Sequence, residues 1–113
     1  MKVSVSQMQA GLTKYLDAEF MQKLTGVQRW VFGATAAMML ANFGTVFNKL
    51  KASPMVGMMD VIDEDDRIDI DKLYRYFKAE AQNAPASIQV PGIGMVTLTE
   101  YDIDRLYNYT VNS

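Results

Sequence analysis

The sequence predicts an α+β fold that is mainly α: two long N-terminal helices, a short helix, then a helix–β-hairpin–helix unit. Three observations predict it. Apolar residues recur at three- and four-residue spacings over most of the 113-residue chain. Alternation with period two is confined to residues 87–90 and 96–99, which flank Pro91-Gly92-Ile93-Gly94. Half of the residues are hydrophobic and 21% are charged, enough apolar surface for one core. The expected organisation is a single domain over 1–113, with a helical hairpin at 1–52 and an acidic helix–hairpin–helix unit at 53–113.

The first helix is expected to start near Ser6, with Gln9 three residues on as in a capping box. Leu12, Leu16, Phe20 and Leu24 then recur every four residues, with Met8 and Tyr15 beside them. Thr25-Gly26 ends this helix, and Thr25 with Gln28 caps the next. The second helix is expected over 26–51 as the hub of the fold. Its residues 30–48 carry no charge. Nineteen helical residues span roughly 28 Å, close to a bilayer core. A single membrane pass is therefore one reading of this segment. The polar Asn42 and Asn48, and basic flanks at both ends (Arg29; Lys49 and Lys51), favour a buried or subunit-pairing helix instead. Gly33, Ala37, Ala41 and Gly44 recur at three- and four-residue spacings, so another helix can approach closely.

Ser53-Pro54 restarts the chain with a cap and a first-turn proline. Met55, Met58 and Met59 then share one face of a short helix, and methionine suits adaptable binding surfaces. Seven of the twelve residues 60–71 are acidic. A helix over 71–82 follows, closed at Asn83-Ala84-Pro85. The hairpin comes next, and Thr99, with Asp102 at the third position, caps the last helix.

Residues 69–76 (DIDKLYRY) match residues 102–109 (DIDRLYNY) at an offset of 33, with six of eight positions identical. In each copy Ile, Leu and the first Tyr form one apolar face. The second Tyr, Tyr76 or Tyr109, lies on another face, where its hydroxyl reaches water or a partner. The two copies read as similar helix starts on a common sheet. The run from IDIDKLY through PGIGMVTLT to EYDIDRLYNY resembles small proteins of Gram-positive bacteria and their phages, over the C-terminal half. The resemblance implies a phage or mobile-element origin and transfers no activity.

Function is bounded mainly by exclusion. The chain has no Cys and no His. It therefore lacks a thiolate, the usual base of Ser and Cys hydrolases, and the commonest zinc ligand. Asp63, Asp65, Asp69 and Asp71 imitate positions 1, 3, 7 and 9 of an EF-hand loop. Arg67, Ile68 and Tyr74 occupy positions 5, 6 and 12, where that loop needs an oxygen ligand, Gly and Glu. Pro91-Gly92-Ile93-Gly94 lacks the Gly-Lys-Ser/Thr of a phosphate loop. The sequence thus reads as non-enzymatic, with no cofactor and no metal.

Residues 1–52 hold six basic and two acidic side chains, net +4. Residues 53–113 hold five basic and eleven acidic, net −6, so the halves attract each other within one chain or between chains. Lys14, Lys23, Arg29, Lys49 and Lys51 offer a basic face for a nucleic-acid reading, which the acidic half opposes. No apolar leader follows Met1-Lys2, so a cytoplasmic protein is expected, in a bacterial host or a phage particle. The favoured expectation is a self-associating interaction or assembly protein. Its interface candidates are Gly33, Ala37, Ala41, Gly44, Met55, Met58, Met59, Tyr76 and Tyr109.

Overall fold

The computed structural model describes residues 1–84, 86–90 and 94–113, the side chains of 86, 88–90 and 96 excepted. Its order is β1 (Lys2–Val3), α1 (Val5–Tyr15), α2 (Gly26–Ala41), α3 (Phe43–Lys51), α4 (Pro54–Met59), β2 (Ile68–Asp69), α5 (Ile70–Asn83), β3 (Ala86–Val90), β4 (Gly94–Leu98) and α6 (Glu100–Val111). The mainly α, α+β expectation holds.

The first difference lies at the N-terminus. β1 pairs antiparallel with β2, Val3 opposite Ile68. The chain therefore leaves a strand at Ser4, and the Ser4 hydroxyl, not that of Ser6, caps α1 by accepting from the Gln7 amide at 3.1 Å. A two-residue strand is too short to announce itself by alternation.

α1 does not run straight to Leu24. It passes into a π turn over Leu16–Phe20 and a 3-10 turn over Met21–Lys23. A π turn inserts one residue into the helical repeat. Tyr15, Phe20 and Leu24 are thereby buried as one cluster, with Leu16, Phe32, Leu98, Leu106 and Tyr109 against it. The Thr25–Gln28 capping box forms as expected.

The continuous helix expected over 26–51 is broken at Asn42. α2 and α3 meet there at 74°. The Asn42 side-chain amide donates to the Met38 carbonyl at 3.0 Å, competing with the helical ladder. Gly44 follows and weakens helix propagation. The bend buries Phe43 and Phe47, and Phe47 joins Val3, Ile68 and Ile70 in a second core cluster.

The expectation of α2 as hub fails. No residue of α2 is buried. The centre of the fold is the crossing of α1 and α6. A Cβ on Gly11 would run into the backbone of Thr110, so glycine is required for that approach.

β3 and β4 form the expected antiparallel hairpin, Ser87 opposite Thr97. Gly94 at φ 102° opens β4 in a conformation that favours glycine. The Pro91-Gly92-Ile93 part of the predicted loop, the closing Pro85 and the side-chain alternation of Ile88, Val90 and Val96 lie outside the described residues.

Candidate functional site

The repeat organises the most structured polar site. Its two copies do not lie side by side on a sheet; they face each other. The Tyr74 hydroxyl donates to Asp104 Oδ1 at 2.6 Å, and the Tyr107 hydroxyl donates to Asp71 Oδ1 at 2.6 Å. The rings stack at 4.6 Å between centroids, tilted by 40°. Asp71 and Asp104 are equivalent in the repeat, as are Tyr74 and Tyr107, so the exchange is reciprocal across a pseudo-two-fold. The register differs in one respect. Asp69 caps α5, whereas its counterpart Asp102 lies inside α6, behind the Thr99 cap.

Each carboxylate also receives an ammonium. Lys78 Nζ reaches Asp104 at 2.8 Å and the Tyr74 hydroxyl at 3.0 Å. The Met1 amino group pairs with Asp71. Hydrogen bonds from Lys78 and then Tyr74 hold the Asp104 carboxyl below the usual range, and those from the Met1 amine and Tyr107 do the same for Asp71. Position 78 plus the repeat offset is Val111, so only the first copy carries its own lysine.

A polar cleft of about 450 Å³ opens at this exchange, lined by Asp71, Tyr74, Arg75, Asp104, Tyr107 and Asn108. These are the third, sixth and seventh positions of each copy. An apolar cleft of about 320 Å³ lies beyond the same two tyrosine rings, with Met8, Leu73, Phe77 and Leu106 among its walls.

Asp102 anchors the other end of α6. It is 2% exposed, and it accepts from Lys23 Nζ at 2.5 Å, the Tyr15 hydroxyl at 3.1 Å and the Thr99 amide at 2.9 Å. Burial works to raise its pKa, but the bonds from Lys23 and Thr99 outweigh that and keep it below the ordinary value. Burial and the Asp102 charge push the Tyr15 hydroxyl well above its ordinary value. Glu19, presented by the π turn, accepts from Arg105 Nε at 2.7 Å and from the Tyr109 hydroxyl at 3.2 Å.

The acidic stretch forms a turn held by its own hydrogen bonds. Asp63 Oδ1 accepts from the amides of Asp65 and Arg67, both at 2.9 Å. Asp66 takes φ 58°, which an Asp tolerates. Lys2 and Lys51 pair with Asp63 and Asp66. With Lys23–Asp102, these pairs draw the basic half onto the acidic half within one chain. Two members of the predicted basic face, Lys23 and Lys51, are held in these pairs. Arg29 is engaged too, donating to the carbonyls of Met21 and Leu24 at 3.0 and 3.1 Å.

The interface candidates separate into two groups. Ala37, Ala41 and Gly44 are exposed, as are Met55 at 62% and Met58 at 88%. Met59 is half-buried. Gly33 is half-buried, and a Cβ there would meet the Met21 methyl at 3.6 Å. Tyr76 is exposed, edge-on to Phe77 at 5.3 Å. Tyr109 is half-buried and hydrogen-bonded within the chain, so the two second tyrosines are not equivalent.

Sequence reading missed Val27 and Trp30, 77% and 79% exposed, which head the outer face of α2. The signal was present: Val27, Trp30, Ala34, Ala37 and Ala41 follow a strict 3-4-3-4 spacing, and all five are exposed. The inner face holds Phe32 against Phe20 at 4.8 Å. No single helix is long and apolar enough to cross a membrane among the described residues. No family model, curated protein or solved structure matches the chain.

Proposed function

We propose that this chain is a non-enzymatic assembly protein that associates with further copies of itself through the outer face of α2. In this reading it works in a bacterial cytoplasm or a phage particle and derives from a phage or mobile element. One observation carries the association: a sixteen-residue helix with no buried residue presents an uncharged 3-4-3-4 row to solvent. Exposed apolar patches of this kind mark association sites. The small residues of the row let a second helix come close, and Trp30 supplies the large aromatic anchor typical of interfaces. Residues 20–59 contain no acidic side chain, and their cations Lys23, Arg29, Lys49 and Lys51 lie outside residues 30–48. An antiparallel pairing sets Trp30 of one copy against the alanines of the other.

Light scattering on a size-exclusion column without detergent tests this. The expected result is a discrete oligomer that Ala37→Glu returns to monomer with unchanged helicity. A wild-type monomer at every concentration would overturn it. The bent α2–α3 pair supports a second reading, because together the two helices have the length and apolar character of a broken membrane span. Flotation of the protein with lipid vesicles, abolished by Trp30→Glu, would favour that reading.

A further inference from the structure

The cleft at the repeat has a property that its internal hydrogen bonds do not use. Four of its six lining residues, the two Asp and the two Tyr, satisfy one another and their ammonium partners. Arg75 and Asn108 are the other two, and among the described residues neither side chain makes a hydrogen bond or ion pair. They occupy the seventh position of the two copies, the one position at which the copies differ in chemistry. A near-symmetric floor therefore carries one-sided recognition: a guanidinium fork on one wall and a carboxamide on the other.

A guanidinium fork matches a planar carboxylate, and the carboxamide adds a further donor. Asp71 and Asp104 in the lining oppose a doubly charged head more than a singly charged one, which favours a carboxylate over a phosphate. The Tyr74 and Tyr107 rings also line the apolar cleft, whose other walls bear no charged group. A molecule that lies along these rings meets donors at one end and hydrocarbon at the other. Volumes of about 450 and 320 Å³ fall in the range of small-ligand sites.

We propose that the two clefts form one binding site for a small amphiphile with a carboxylate head and an alkyl body, the head on Arg75 and Asn108 and the body against Leu73, Phe77 and Leu106.

Titration calorimetry with sodium decanoate below its micelle concentration tests the proposal, with decan-1-ol and decyl phosphate as comparisons. The expected result is saturable binding of one decanoate per chain, stronger than that of either comparison. Arg75→Gln weakens decanoate about tenfold, the loss of one charge-assisted contact, and leaves decanol unchanged. Leu73→Phe fills the apolar cleft and Phe77→Ala removes its exposed wall; both weaken decanoate and decanol, with helicity checked by circular dichroism. Trp30 emission stays constant throughout, since α2 is not the site. Absence of saturable binding, decanoate binding indifferent to Arg75→Gln, or binding that moves Trp30 emission and ignores Leu73→Phe and Phe77→Ala would overturn the proposal.

Discussion

Tyr74 donates its hydroxyl to Asp104, and the same bond recurs with the partners exchanged, from Tyr107 to Asp71, at the same 2.6 Å. A short sequence repeat has thus become a reciprocal clasp between α5 and α6. Each tyrosine serves the helix opposite its own, so neither copy completes its hydrogen bonds alone. Tyr74→Phe and Tyr107→Phe should each lower the melting temperature by a few degrees. Because the rings touch, the double variant should lose less than the two losses added. A thermal double-mutant cycle measures this, and strict additivity would contradict a shared clasp.

Among the described residues Asp102 is the only buried carboxylate, and its partners come from α1 and the 3-10 turn as well as its own cap. Asp102→Ala removes the cap contact and leaves the Tyr15 hydroxyl and Lys23 without their partner. The expected cost is about 2–4 kcal/mol, read by urea unfolding. Thr99→Ala, which removes only the cap hydroxyl, should cost about 1 kcal/mol.

The acid limb of stability follows from the same group and its neighbours. Asp71, Asp102 and Asp104 each have a folded pKa below the ordinary 3.8. The unfolded chain then binds more protons than the folded chain as pH falls through that value, so stability is full above it and declines below. Lys78 and Tyr15 have folded pKa values raised above 10.5 and 10.0. Their contribution is present below those values and is lost as pH rises through them. Unfolding free energy against pH should therefore form a plateau with two falling ends, and Asp102→Asn should make the acid end shallower and, by removing the charge beside Tyr15, also reduce the tyrosine's share of the alkaline fall.

Gly11 permits the close approach of α1 to Thr110 of α6. Gly11→Ala would strengthen α1 if the helix stood alone. Against Thr110 it overpacks, and the expected net loss is about 1–3 kcal/mol. Gly57→Ala, where a Cβ meets nothing, is the matched control and should be neutral or slightly stabilising. Equal effects of the two substitutions would remove the close-approach account.

Local chemistry was legible, and long-range pairing was not. Thr25 with Gln28 and Thr99 with Asp102 are capping boxes whose signal lies within four residues, and both form. The helix after the acidic turn and the hairpin around Pro91–Gly94 were readable for the same reason. The β1 strand was not, because Lys2–Val3 acquires its conformation from Ile68–Asp69, far along the chain. The break at Asn42 was hidden by an uncharged run whose few polar residues do not by themselves mark a bend. Phe43 and Phe47 point to the core, while the α2 row points away from it, and only a bend reconciles the two. In the candidate site the repeat itself was visible, but its reciprocal bonds were not: a repeat states that two segments are alike, not that they face each other. The exposed 3-4-3-4 row was visible at Ala37 and Ala41, but its members Val27 and Trp30 were not, because which face of α2 meets the fold is decided by Phe20, outside the helix.

The sole tryptophan lies in that row, so its emission tests the association most directly. In concentrated protein the account predicts a blue-shifted Trp30 spectrum that moves to the red on dilution, with the midpoint displaced at least tenfold upward in concentration by Ala37→Glu, as a charge buried at a helix contact requires. Emission that stays red at every concentration would show that Trp30 remains in water, and would contradict the pairing of α2 with a second copy.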